Sequence, residues 1–537
     1  MDITDRPTVV LAGATGFVGT AMREALADSF NIVALTRSPV RAQKNAESDQ
    51  REDWHHCDLF SPNDIKTQLE GADYAIYLVH SILPSSRLTQ AEVADLDLLM
   101  ADNFARAAEE GGVRQIIYLG GLVPDDVPRD DLPSRMRSRL DIQTTLGSTS
   151  VPLTTLRAGL IVGPGGTWLN LLLNLVRRLP AMLLPQWAFA QTQPIAIEDM
   201  VRGMLTCLDA PEHFNKTYDL GGPERMTYRE MLKRTARVLG LRERPTAMVP
   251  FDAPSLSKLW IWAFSSGPWA IVDPLVDSLR LGSTVKENPL QDEVVQKAIS
   301  FDEALARSVD ENGQPYPNPR AELRSEDDAV IRSDSVARSV QRLPLPPGFS
   351  ARDVAHEYIH WLPRFGWPLL RCTVEGKRVC KFQVRPFGLT LLEITYAPAE
   401  SPEGRHLFYV TGGLLADQNS GHDGRLEFRR ALNGRSVITA VHDFAPMLPW
   451  YLYNMTQALA HLLVMNRFGR HLNQISRGSS ATDNTGGSLG SRQERVEADA
   501  SGAIVRASGD QQASPGSSAD STSSGGPAGG QEQPAWP

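Results

Sequence analysis

Short apolar runs alternate with longer amphipathic stretches over the first half of the chain. Residues 8–12, 31–35, 74–79, 115–119 and 153–156 are rich in Val, Ile, Leu, Tyr and Thr, with few polar interruptions. Runs of this kind suit strands buried on both faces. Between them, 17–27 and 89–110 space their apolar residues every three or four positions, which predicts helices. Strand–helix alternation predicts a doubly wound parallel sheet of the α/β class. An apolar helix is expected over 167–179, with Arg177 and Arg178 near the end that favours positive charge. From residue 369 the rhythm changes. Runs at 369–374, 379–384, 391–396, 406–411, 425–430 and 436–441 are divided by turn signals, Glu375-Gly376-Lys377 and Asn433-Gly434 among them. They predict an antiparallel sheet, and the amphipathic stretch 450–472 predicts a long helix after it.

Two segments lack either rhythm. Residues 310–348 hold Pro315, Pro317, Pro319, Pro344, Pro346 and Pro347 among charges, and are expected to be a linker. Ser and Gly supply 23 of the 61 residues 477–537, too little apolar surface to offset the entropy of ordering, so a disordered tail is expected. The predicted organisation is a first domain over 1–309 with a smaller lobe within about 165–309, a linker over 310–348, an α+β domain over 349–476, and the tail.

Composition acts mainly by exclusion. The 537 residues carry a net charge of −9, and the tail's 7 acids and 4 bases account for −3 of it. The folded part is mildly acidic, which argues against a nucleic-acid partner. No apolar run reaches the roughly 18 residues of a membrane span. Residues 1–7 are polar and lead straight into the first run, so no signal peptide is expected. Four cysteines make no disulfide framework. Cys372 and Cys380 flank the first hairpin, but reduced thiols are expected. These readings point to a cytoplasmic protein without a transmembrane segment, with peripheral contact at the inner face of a membrane left open.

The clearest chemical signal is the loop Gly13-Ala14-Thr15-Gly16-Phe17-Val18-Gly19, placed between the first strand and the first helix. Spaced glycines there allow a tight turn, close approach of backbone to a pyrophosphate, and close helix–strand packing. The helix N-terminus adds free N–H donors. A dinucleotide site follows. The second run ends Thr36-Arg37-Ser38-Pro39 with no acid to bond a ribose 2′-hydroxyl, while Arg37, with Arg41 second, could meet a 2′-phosphate. NADP is therefore favoured over NAD. Asp58, followed by Leu59, could accept from the adenine amino group or could cap the next helix.

These residues resemble the atypical and extended branch of the short-chain dehydrogenase/reductase superfamily. Tyr77-Leu78-Val79-His80-Ser81, Leu156-Arg157-Ala158-Gly159, Pro194-Ile195-Ala196-Ile197-Glu198-Asp199 and Tyr218-Asp219-Leu220-Gly221-Gly222-Pro223 extend the resemblance over 7–309. It is most similar to the group holding the nucleotide-binding accessory subunit of respiratory complex I and bacterial NAD(P)H-binding relatives. The resemblance implies a Rossmann domain with Val79 and His80 beside the nicotinamide, and oxidoreductase or epimerase/dehydratase-type chemistry. Active members carry Ser or Thr after the fifth strand and Tyr-x-x-x-Lys on the next helix. Here Gly120-Gly121 stands after that strand, Arg135 and Arg139 fall near the Tyr and Lys positions, and no Tyr-x-x-x-Lys occurs anywhere. Arginine stays protonated and cannot shuttle a proton. His80, Ser81, Arg135 and Arg139 are the remaining catalytic candidates, the arginines (with Arg137) as a clamp for an anionic substrate.

Trp168, Trp187, Trp260, Trp262 and Trp269 gather in the smaller lobe, where the family closes its substrate site. They suggest either core packing or a small apolar, isoprenoid or quinone-type substrate. A non-catalytic NAD(P)H-binding redox sensor, or an assembly factor for a membrane respiratory complex, is the alternative that the missing tyrosine–lysine pair favours. His356-Glu357-Tyr358-Ile359-His360 matches the H-E-x-x-H zinc pattern and gives zinc hydrolysis as a remote alternative. Ala355, Ile359 and Leu362 have the spacing of a buried face, Pro363 ends the helix, and no third ligand follows in step, so a structural helix is expected and no metal. The second domain resembles helix-grip ligand-binding domains in element order alone.

Overall fold

The computed structural model describes residues 6–483 apart from 49–51, 81–88, 125, 179–181, 243–244, 249–276, 278, 283, 318–336, 366–369, 377, 402–403 and 418–423. Ser81, Trp260, Trp262, Trp269 and most of the expected tail lie outside the described residues.

The first half alternates strand and helix: β1 Thr8–Ala12, α1 Phe17–Leu26, β2 Asn31–Thr36, α2 Pro39–Ser48, β3 Glu52–His56, α3 Pro62–Leu69 and β4 Tyr74–Tyr77, then β5 Thr89–Ala91, α4 Val93–Glu110, β6 Gln115–Gly121, α5 Ser134–Leu146 and β7 Leu153–Ala158. Seven parallel strands form one sheet in the order Thr217–Leu220, β7, β6, β4, β1, β2, β3. Successive residues of each strand feed opposite layers. Val9, Leu11, Ile76 and Ile117 join the core under α1 and the Ile197–Cys207 helix, while Val10, Ala12, Tyr77 and Tyr118 join the core with α4. That is why these runs are apolar without alternation. The smaller lobe has its own core, in which the Thr167–Arg178 helix meets the Tyr228–Val238 helix; Trp168 and Trp187 pack against it.

The second sheet runs Leu370–Glu375, Val379–Val384, Leu389–Tyr396, Arg405–Gly412, Arg425–Ala431, Ser436–Phe444, Ala337–Pro344, β5. Its neighbours are antiparallel except for the last pair. Its core takes Val354 and Tyr358 from helix Ala351–Trp361 and Met465, Phe468 and Leu472 from helix Gln457–Asp483. Cys372 pairs in register with Phe382 and Cys380 with Val374; all four cysteines are free thiols.

Three expectations are corrected. Residues 89–91, read as helix, form β5, paired with Arg338, Ser339 and Val340 across 249 positions of sequence; local spacing cannot reveal so distant a partner. The expected linker contains strand Ala337–Pro344. Its charges face acids: Arg338 meets Asp58 at 2.5 Å, and Arg342 meets Asp95 at 3.0 Å and Asp141 at 2.7 Å. The expected single helix over 450–472 is two, Trp450–Met455 and Gln457–Asp483, parted at Thr456, whose backbone leaves the helical region. The second of them runs past the expected start of the tail at 477.

The two sheets meet across α4. Arg429 is almost wholly buried and donates to Glu427, to Asp102, and to Asn103 at 2.7 Å. Asp102 also accepts from Arg106, and Glu427 from Arg405 at 3.0 Å. Asn103 in turn donates to the carbonyls of Leu59 and Phe60, in the loop after β3. Arg429→Ala leaves Glu427 and Asp102 buried without their main counter-charge. We expect a loss of about 3–5 kcal/mol, read as a lower urea midpoint for the transition that includes the second sheet. A loss under about 1 kcal/mol would mean that the cluster does not hold the sheets together.

Candidate functional site

Strand order reverses direction between β1 and β4, and in open α/β sheets that switch point opens a crevice beyond the strand carboxyl ends. The glycine loop lies there. Gly13 has φ +93°, and a Cβ on it would come within 3.2 Å of Leu78, just past β4. Gly19 meets the loop from the other side, since a Cβ there would collide with the Gly13 carbonyl and lie 2.9 Å from the Ala14 Cα. Larger residues at either position would push the loop off the sheet. Gly16 is the N-cap of α1 without a side-chain cap, and the first turn has no acid. The Gly16 N–H donates to the Gly13 carbonyl at 2.9 Å, and the N–H groups of the first turn that follows it are available to an anion. Ala14 is buried; Thr15, Phe17 and Val18 are half-buried. The Phe17 ring reaches the smaller lobe, where a Cβ on Gly163 would come within 3.1 Å of it.

At the end of β2, Arg37 is exposed; Arg41, in α2, is buried. Asp58 is engaged within the protein. One carboxylate oxygen accepts from the Phe60 amide at 3.1 Å and the other pairs with Arg338, whose guanidinium also stacks over the Phe60 ring. Leu59 is buried and Val79 half-buried.

Beyond β4 and β6 stands a cluster of His80, Tyr118, Arg135 and Arg139. His80 Nε2 lies 3.2 Å from the Leu119 carbonyl. A carbonyl only accepts, so Nε2 carries the proton. Burial, then the Arg139 and Arg135 charges, hold the imidazole down at about 3, so His80 is neutral near pH 7. The Tyr118 hydroxyl donates to the Arg139 carbonyl at 3.3 Å, and burial pushes it above the usual phenol range. Burial and Arg139 push Arg135 down to about 10, and burial lowers Arg139 as well. A Cβ on Gly121 would fall inside the Arg139 guanidinium. The absence of a side chain at Gly121 and the placement of the Arg139 guanidinium are therefore one steric fact. The sequence held the signal, a glycine pair opposite Arg-x-x-x-Arg, but only the fold shows that one makes room for the other. Reading along the chain also missed Asp97, a buried acid of α4 whose charge acts on both arginines.

The His-Glu-x-x-His stretch lies on helix Ala351–Trp361, started by a capping box of Ser350 and Asp353. Glu357 pairs with His471 at 2.8 Å, the His356 ring stands edge-on to Tyr396, and His360 is exposed. Among the described residues no group of three His, Cys, Asp or Glu side chains is placed to hold a metal ion. Nor is any described helix long and apolar enough to cross a membrane.

Residues 13–146 match the NAD(P)H-binding family. The chain is 32% identical over 117 residues to the auxiliary protein GraX of Staphylococcus aureus (strain NCTC 8325 / PS 47), across 22% of this chain and 37% of that protein. It thus spans little more than a third of that relative's length. Similar solved structures include a Citrobacter sp. triphenylmethane reductase complexed with NADP(H), at 18% identity and TM-score 0.43 over 56% of this chain and 98% of that one. A Staphylococcus aureus nucleoside-diphosphate-sugar epimerase aligns at 16% and 0.42, over 56% and 99%. An Escherichia coli NADPH-dependent quinone oxidoreductase aligns at 17% and 0.43, over 55% and 98%.

Three buried imidazoles set an acid limit on the fold. Burial holds His80 and His442 down at about 3 and His461 at about 4. A histidine with a depressed folded value contributes fully above its unfolded value near 6.5, and that contribution is lost as pH falls toward the folded value. We expect the thermal midpoint to fall as pH drops from about 6.5 toward 4, and His80→Gln, which keeps a donor for Leu119, to make the fall shallower. An unchanged slope, or an NMR titration of His80 near 6.5, would contradict the neutral assignment.

Proposed function

We propose, for a chain that carries an NAD(P)-binding Rossmann-type domain, that the crevice at its switch point binds NADP(H) in preference to NAD(H) and serves oxidoreductase or epimerase-type chemistry. The observation that carries this is the uncapped N-terminus of α1 behind Gly13-Ala14-Thr15-Gly16, with Arg37 exposed one residue past β2 and no acid at that strand's end. The dinucleotide, when bound, supplies or accepts hydride at its nicotinamide. The chain's part is to cradle the pyrophosphate at Gly16 and the first turn of α1, to meet the 2′-phosphate with Arg37, and to line the nicotinamide end with Val79 and His80. Asp58, Leu59 and the β3 loop would border the adenine. The smaller lobe would bring a small apolar, isoprenoid or quinone-type substrate to that end.

A second reading, in which NAD(P)H is sensed and not turned over, is favoured by the state of the site. His80 is neutral with its proton committed to Leu119, and Tyr118 is too high to exchange a proton near neutrality. Such a sensor or assembly factor could dock at a membrane surface through Met447, Tyr451, Met455, Leu459 and Leu463, large apolar side chains that are exposed on the final helices and their entry.

Isothermal titration of the full chain tests the shared premise. NADPH should bind more tightly than NADH, and Arg37→Ala should weaken NADPH about tenfold or more while leaving NADH little changed. Equal loss for both cofactors would remove Arg37 from the 2′-phosphate site, and absence of binding by either would overturn both readings. NADPH oxidation with any member of a quinone and carbonyl panel would favour the enzyme, and saturable binding without turnover the sensor.

A further inference from the structure

We propose that Arg135 and Arg139 form a binding site for an oxyanion: the carboxylate or phosphate group of a molecule that meets the dinucleotide. It rests on the dinucleotide site proposed above and names the chemistry of that molecule. The two arginines stand one turn apart on α5, so their side chains share a face. That face looks toward the carboxyl ends of β4 and β6. Arg139 occupies the volume over Gly121 at the end of β6, and both charges act on the His80 imidazole past the end of β4.

What sets the pair apart is the lack of partners. Arg23, Arg114, Arg234, Arg342 and Arg429 each meet a carboxylate within hydrogen-bond reach. Among the described residues, neither the Arg135 nor the Arg139 guanidinium makes a hydrogen bond or ion pair. Asp97 acts on both from α4 at longer range, so two positive charges stand against one negative. Half-buried like charges that repel each other are costly unless a counter-charge arrives. Two guanidinium forks a turn apart suit the flat oxygens of a carboxylate or the tetrahedral oxygens of a phosphate.

The dinucleotide's own phosphates are poorly placed to be that counter-charge. The pyrophosphate donors lie at the end of β1, and Arg37 lies at β2, on the far side of β1 from β4 and β6. β6 is two strands from β1, roughly 10 Å away. The arginines therefore belong to the end of the crevice where a second molecule would lie. The absence of a side chain on Gly121 acquires a purpose, because any hydroxyl-bearing residue there would displace the Arg139 guanidinium.

The full chain, saturated with NADPH, would be titrated with sodium oxalate and separately with inorganic phosphate, ionic strength being held constant with chloride. At least one anion should bind, and the arm that binds identifies the group. Arg135→Gln and Arg139→Gln should each weaken that binding about tenfold or more, with Arg139→Lys retaining part of it. Gly121→Ser, which moves the guanidinium without removing it, should also lose the anion. The same anion should raise the thermal midpoint of the wild-type chain more than that of the Gln variants, a readout that serves if a variant binds too weakly to titrate. No binding of either anion, unchanged binding in the Gln variants, or displacement of NADPH by the anion would each overturn the inference while leaving the cofactor reading standing. A chain that binds no NADPH would overturn both.

Discussion

Arg429 is the point on which the two sheets turn. A guanidinium taken out of water loses its hydration, and the loss is tolerable only if nearly every donor finds an acceptor. Here the acceptors come from both sides: Glu427 from its own strand, Asp102 and Asn103 from α4. Arg106 also meets Asp102 and Arg405 also meets Glu427, so Arg429 links two ion pairs, one from each side. The second sheet is thereby fixed to the helical layer that covers the first. Because Asn103 also grips the Leu59 and Phe60 carbonyls, and strand Ala337–Pro344 pins Asp58, Asp95 and Asp141, the loop after β3, the start of α4 and the middle of α5 are tied into one network with the second sheet. Segments of the first sheet's helical layer are thus positioned partly by the second sheet, whose strands lie far from the glycine loop in sequence.

The parallel sheet was legible in sequence because both of its faces are buried. That condition writes itself into the chain as unbroken apolar runs, and β1 has the expected bounds, 8–12. The glycine loop was legible for a related reason: its geometry depends on residues adjacent in sequence. What could not be read were features made by distant partners. Arg338 and Arg342 looked like linker charges because their acids lie more than two hundred positions away. Thr89–Ala91 looked helical because the strand that claims it comes 249 residues later. Within the candidate site, the glycine pair and the arginine pair could each be named from sequence, but their complementarity is a matter of volume.

The electrostatics of the crevice follow from that volume. Burial keeps the His80 imidazole neutral, and the guanidinium that fills the space over Gly121 adds to the effect, so the residue with the most suitable ordinary pKa for proton transfer is taken out of use. A counter-charge on the arginines would ease only the smaller, coulombic part of the His80 depression, because burial would remain.

The pairing of β5 with Ala337–Pro344 also has a meaning in time. During synthesis, Thr89–Ala91 leaves the ribosome 249 positions before its partner strand. At ordinary elongation rates of about 5–20 residues per second that is a wait of roughly 12–50 s. The parallel sheet can begin to assemble in that interval, since β1 to β4, β6, β7 and the strand Thr217–Leu220 all precede residue 221. β5 cannot find its partner until strand Ala337–Pro344 is made. The nascent chain thus acquires its dinucleotide fold early and the fixed border of its candidate site late, and a polypeptide stopped between the two would present the first without the second.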